Sequence, residues 1–173
     1  MQIKHIVYSA LFVIVANGSL FAQTTDTQKF RVVVPANISI SPPVEVEITH
    51  DESENDQPFP QQQWLVKGNV LSGLSVSFAT ATPFTHTTAP DFKRDARLNL
   101  AVASSLGPAA WTVDQATDQT DYQANDPQAV VLASSDGVGR ATFDLGVEFI
   151  TDGFGTFAAG TYETTIVGTV TAN

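Results

Sequence analysis

The sequence contains no cysteine. That excludes disulfide staples, thiol catalysis, Cys-ligated zinc and iron–sulfur chemistry, so the fold must be held by its core alone. It also removes the residue through which bacterial lipoproteins are lipidated. Basic residues are scarce: 8 Lys and Arg stand against 18 Asp and Glu, a formal charge of −10. A surface so acidic repels phosphate backbones, which excludes nucleic acid as a partner. No Gly-x-Ser-x-Gly elbow anchors a hydrolase triad. The Gly-containing stretches "DGVGRA" and "GFGTFAAG" lack the lysine and the strand-to-helix setting that phosphate binding needs. Only His50 and His86 lie beyond the N-terminal segment, too far apart in sequence for the spacing of a metal pair on one helix or hairpin. Composition and motifs thus predict neither catalysis nor a bound cofactor.

Long hydrophobic runs are missing after residue 22. The run before it has the layout of a secretory signal peptide: Lys4 as the basic region, Ile6 to Val15 as the apolar core, and Leu20-Phe21-Ala22 as the cleavage region. A membrane-spanning helix needs about 20 apolar residues, and Asn17-Gly18-Ser19 interrupts this run well short of that. The sequence therefore predicts a signal peptide over residues 1–22 and a single exported domain over residues 23–173, with no membrane insertion after cleavage. Cleavage takes away one charged residue, Lys4, and leaves 7 basic residues against 18 acidic.

What the remainder has is alternation. Period-two patterning recurs along the chain, with turn residues between the alternating segments and no convincing helix of three turns. "KFRVVVP" places Phe30, Val32 and Val34 on one face, and "VEVEITH" points Val44, Val46 and Ile48 inward. Further strands follow on Trp64 and Val66, on Leu74, Val76 and Phe78, and on Leu98, Leu100 and Val102. "AVVLAS" reads as a strand buried on both faces. "SSDGVG" reads as a hairpin turn centred on Asp136-Gly137. "RATFDLGVEFI" sets Ala141, Phe143, Leu145, Val147 and Phe149 on one face. About ten short strands at this spacing predict an all-β antiparallel β-sandwich, immunoglobulin-like or jelly-roll-like. The last strand, from Tyr162 onward, is expected to close it, docked between neighbours.

That closing stretch, Gly160-Thr161-Tyr162 followed by Ile166, Val167 and Val170, resembles the C-terminal strand of secreted bacterial β-sandwich subunits of the fimbrial and spore-coat-U type. The resemblance covers about one tenth of the chain. It implies a role in surface assembly. The chain departs from those subunits in having no Cys pair, and in a polar "QTTDTQ" where they carry an apolar donor segment. The whole exported chain also looks like the secreted β-proteins of environmental bacteria, a likeness that carries no function.

Two acidic loops are the candidate cation sites. Asp51, Glu52, Glu54 and Asp56 in "HDESENDQ", and Asp114, Asp118 and Asp121 in "DQATDQTDYQAND", supply the hard oxygen ligands that calcium takes. Neither has EF-hand spacing: counted from Asp51, Asp56 stands where a glycine belongs and Gln62 where a glutamate belongs. The bland reading of both is a solvated loop, and no metal site is expected. Trp111 and Tyr122, flanking the second loop, are the candidate sugar-stacking residues, against ordinary packing. The functional expectation is an exported structural or adhesive protein at the cell surface, in the periplasm or in the extracellular matrix. It would act through protein partners or self-assembly. The other class considered is a carbohydrate-binding module on surface polysaccharide, assisted by calcium.

Overall fold

The computed structural model describes residues 24–153 and 155–173; residues 1–22, expected to be a signal peptide, lie outside them. The chain divides into two compact units, Met1–Val33 and Val34–Asn173, and every strand among the described residues belongs to the second. In chain order these are β1 (Ile38–Ser41), β2 (Gln57–Pro58), β3 (Gln62–Gly68), β4 (Leu74–Thr80), β5 (Phe84–His86), β6 (Lys93–Arg94) and β7 (Ala96–Leu106). Then come β8 (Trp111–Gln115), β9 (Thr117–Gln119), β10 (Val130–Ser135), β11 (Gly139–Phe149), β12 (Tyr162–Glu163) and β13 (Ile166–Ala172). No helix forms among the described residues.

The strands make an all-β, antiparallel sandwich. One sheet runs β1-β3-β11-β7-β9, with β2 also paired to β11; the facing sheet runs β13-β4-β10-β8; a small third sheet is β12-β5-β6. Only β5 and β6 are both consecutive and hydrogen-bonded to each other among the described residues. Nearly every other connection arches from one sheet to another. "SSDGVG" is such an arch and not the expected hairpin: β10 and β11 lie in different sheets, so their side chains meet across the core.

The inward faces follow the alternation. Val66, Phe78, Leu98, Phe143 and Leu145 are fully buried, with Trp64, Leu74, Val76 and Leu100 beside them. Each such side chain contributes about 1.5–3 kcal/mol by leaving water. An aromatic chain crosses between the sheets edge to face: Trp64 to Phe78 at 5.2 Å, Phe78 to Phe143 at 5.9 Å, Phe143 to Trp111 at 5.6 Å. In β10 only Val131, Ala133 and Ser135 are buried, and the alternate residues are half-buried. The strand is thus interior to its sheet and covered mainly on one face.

Three further expectations fail here. "KFRVVVP" is not a strand, and Phe30 is 82% exposed. "VEVEITH" is not a strand either: Val44 is 86% exposed and residues 42–50 pair with nothing in a sheet. Alternation makes a segment capable of pairing, but Pro42-Pro43 carry no N–H to donate and break the run from β1 into it. The closing strand is not docked between neighbours. The stretch splits at Thr164-Thr165 into β12 and β13, and β13 is an edge that, among the described residues, pairs only with β4. Its inner side is sealed from the other sheet. A Cβ on Gly168 would stand 2.7 Å from the Trp64 ring and 2.8 Å from Ile40 Cδ1, so glycine lets both side chains pack against the strand's inner face.

Candidate functional site

The two ends of the sandwich differ. At one, three arches stack backbone on backbone. Gly73 (φ +84°) sits so close to the Ser135 carbonyl that a Cβ would lie 1.9 Å from its oxygen, and Gly107 (φ +105°) abuts Gly139. Asp136 fastens two of the arches, its Oδ1 accepting from the Ala110 N–H at 2.7 Å.

The other end is built from side chains of the acidic loops, the small sheet and residues 151–161. His50 and His86 are both structural here. Nδ1 of His50 accepts the Glu52 N–H at 3.0 Å, so a neutral ring carries its proton on Nε2 and donates to Thr151 Oγ1 at 3.1 Å. The Thr151 hydroxyl in turn donates to the Asn55 carbonyl at 2.6 Å. His86 repeats the pattern: Nδ1 accepts from Thr88 and Ala89 N–H at 3.2 and 3.1 Å, and Nε2 donates to the Ala159 carbonyl at 3.2 Å. With Nδ1 committed to backbone donors, neither neutral ring has a free nitrogen to take a proton from a nucleophile. Around them Phe84, Phe149, Phe157 and Tyr162 pack edge to face, Phe149 lying 5.2–5.7 Å from the other three rings. Burial pushes the Tyr162 phenol above its ordinary value, although its hydroxyl keeps a bond to the Ala158 carbonyl at 3.0 Å.

The acidic residues proposed as calcium ligands are mostly occupied by the protein itself. Asp51 Oδ1 accepts from Ser53 N–H at 2.9 Å and Gln57 Nε2 at 2.8 Å. Hydrogen bonds from Ser53, side chain and then backbone, hold its carboxyl below the usual range. Asp56 accepts the Thr151 N–H and pairs with Arg97 at 3.3 Å. Asp118 accepts the Val130 N–H at 2.7 Å, and Asp121 the Ala124 N–H at 2.9 Å. Asp114, Glu52 and Glu54 are exposed. Among the described residues no three His, Asp or Glu side chains converge to hold a metal ion. Arg97 does join the two loops, reaching Asp56 and Glu148 with one nitrogen and Gln119 with Nε. Beside it, a shallow recess of about 220 Å³ is lined by Arg94, Asp95, Gln119, Asp121 and Asp152. Arg94 is buried, bonded to Thr156, and stacked 4.9 Å over the Phe157 ring.

Trp111 and Tyr122 are not brought together. Trp111 starts β8 beside the arches, half-buried against Phe143, and its Nε1 is buried without a hydrogen-bond partner. Tyr122 sits at the loop end, its N–H on Asp95 Oδ1 at 3.0 Å. The length of β11 separates the two, roughly 30 Å at the rise of a strand. They share no sugar platform.

One feature has no signal in the sequence because it needs the register. On the outer face of the larger sheet Lys67 and Arg140 stand directly opposite one another, and neither is ion-paired among the described residues. Chemically, then, the molecule offers two histidines tied into its framework, carboxylates capping turns, one unbalanced basic pair and an open strand edge. No family model, no curated protein and no solved structure matches the chain.

Proposed function

We propose that this is an exported structural protein that assembles with copies of itself at the cell surface or in the extracellular matrix. The observation that carries the reading is the free edge β13. Proteins that stay monomeric guard their edge strands with charge, proline or a bulge. Ile166–Ala172 has none of these: the sequence IVGTVTA is uncharged and keeps an unbroken register with β4 along its whole length. The chain also supplies a strand in want of a sheet. Residues 29–34 alternate, lie outside every sheet, and expose Phe30, Val32, Val33 and Val34. Adding such a strand from a second copy to β13 would bury those side chains and satisfy the open row of backbone groups. The framework roles of both histidines support a structural part over a catalytic one.

The test is to guard the edge. Thr169→Lys with Thr171→Lys places two charges at exposed positions of β13. Wild-type protein should form oligomers on sedimentation. At high ionic strength the variant should sediment as a monomer with an unchanged melt. Wild-type protein that stays monomeric at every concentration would overturn the proposal.

A further inference from the structure

We infer that the Lys67–Arg140 pair is a docking site for the acidic loop, residues 51–56, of a second copy of this chain, joining molecules end to end. The inference rests on the self-assembly reading above and assigns it a second contact, distinct from the strand edge.

The starting point is a local conflict. The unit Val34–Asn173 has five basic residues, Lys67, Lys93, Arg94, Arg97 and Arg140, against 17 acidic ones. Arg94 and Arg97 have carboxylate partners. Lys67 and Arg140, in a chain with acid to spare, are placed opposite each other on antiparallel strands. There their Cβ atoms stand about 5 Å apart, and like charges destabilise the pair. The nearest carboxylate on that face of β11 is Asp144, roughly 13 Å along the strand, and it is bonded to Gln63. An arrangement that works against folding and lies on the surface points to a partner that is absent when the chain is alone.

The surroundings fit a carboxylate-bearing partner. Arg140 lines a recess of about 300 Å³ together with Ser104, Ser105 and Thr142, whose hydroxyls can donate to an anion, and with Leu65 and Leu106. Leu106 pairs with Arg140 on the side away from Lys67 and is 61% exposed.

The molecule carries the complement at its other end. Residues 51–56 are a preorganised loop. Besides the bonds from Ser53 N–H and Gln57 Nε2 to Asp51, the Asn55 N–H donates to Ser53 Oγ and the Asn55 carbonyl accepts from Gln57 and Thr151. Glu52 is held at φ +62°. The carboxylates of Glu52 and Glu54 are exposed and unpaired among the described residues. A loop already fixed in one shape loses little entropy on docking. The arch end counts Lys67 and Arg140 against Asp136; the loop end sets Asp121, Asp126, Asp152 and the acids of residues 51–56 against Arg94 and Arg97, which are already paired with Asp152, Asp56 and Glu148. Patch and loop are different surfaces roughly 30 Å apart along β11. Their contact is therefore heterologous, so it builds rings or open chains and not a two-fold dimer.

The experiment is sedimentation of the chain as secreted, at low and at high ionic strength. Wild-type protein should associate at low salt and weaken by at least about tenfold once the screening length falls to a few ångströms. Lys67→Glu with Arg140→Glu should abolish this salt-sensitive association, as should Glu52→Lys with Glu54→Lys. A mixture of the two variants should recover it, because each then meets its opposite charge. Lys67→Glu alone gives a second reading: it replaces repulsion by attraction across the strands, so the melt should rise while association falls. If wild-type protein assembles but the charge reversals change nothing, the docking site is wrong and the strand-edge reading stands. If wild-type protein is monomeric throughout, both fall. If it stays monomeric yet is held by an anionic polysaccharide resin through Arg140, the patch has another partner and the inference is overturned.

Discussion

At the arch end of the sandwich the chain is closed by backbone against backbone. At the loop end the same strands are closed by side chains: two histidines, an arginine bridging two acidic loops, and a cluster of rings. The arch end has almost no freedom in its choice of residue, since Gly73 and Gly107 sit where a Cβ meets a main-chain atom at 3.0 Å or less. The loop end has room at Gly155, though not at Gly160, where a Cβ would meet the His86 ring, and its polar contacts are partly exposed. The contrast teaches where the molecule can vary. Surface chemistry accumulates where closure is delegated to side chains, and the arches supply the fixed frame.

A cut beneath both ends should exceed any change at either. Phe143→Ala removes a fully buried ring touching Phe78 and Trp111, and should cost about 3–5 kcal/mol in a denaturant melt. Gly73→Ala should follow at about 3 kcal/mol, from the clash with Ser135 and the left-handed backbone together. Its counterpart at the loop end is Gly155, also left-handed at φ +87° but with nothing within 4 Å of the added Cβ. Gly155→Ala should cost only about 1 kcal/mol, the backbone penalty alone. Equal losses at Gly73 and Gly155 would erase the contrast.

Smaller effects sharpen it. Arg97→Ala removes a bridge whose side chain is 36% exposed, so the loss should stay at or below about 1 kcal/mol and shrink with added salt. A loss beyond 3 kcal/mol would make the bridge part of the frame. Tyr162 gives the smallest and most specific signal. Its pKa is raised in the fold by burial, so its contribution is intact below the unfolded value near 10 and is lost as pH rises through the folded one. The near-ultraviolet phenolate titration should show one late-titrating tyrosine, and Tyr162→Phe should remove it together with part of the alkaline loss of stability.

How far the sequence spoke follows the same division. Trp64, Phe78, Leu98 and the run from Ala141 to Phe149 were legible because period two states directly which face is dry. The partner of each strand was not, since alternation says nothing about whether a turn brings strands side by side or face to face. Asp136-Gly137 looks like a hairpin and is an arch. "VEVEITH" alternates as cleanly as any strand and joins no sheet among the described residues. The loop end was nearly silent. His86 and Arg94 are buried in a segment that reads as a connection, and the facing of Lys67 by Arg140 exists only once register is known.

The strand order also bears on how such a chain can be made. Apart from β5 and β6, no strand finds its hydrogen-bonded partner next in line: β3 waits for β11, and β4 for β10 and then for β13. A chain emerging N-terminus first can therefore pair β1 with β3 and β5 with β6 early, but it cannot join either large sheet across its middle until β10 and β11 are out. Loop-closure entropy is lost before contacts reward it, which places folding towards the slow, millisecond-to-second range of all-β topologies. The order also means that β13, the uncharged edge of its sheet, can pair only after β4 and β10 are already out.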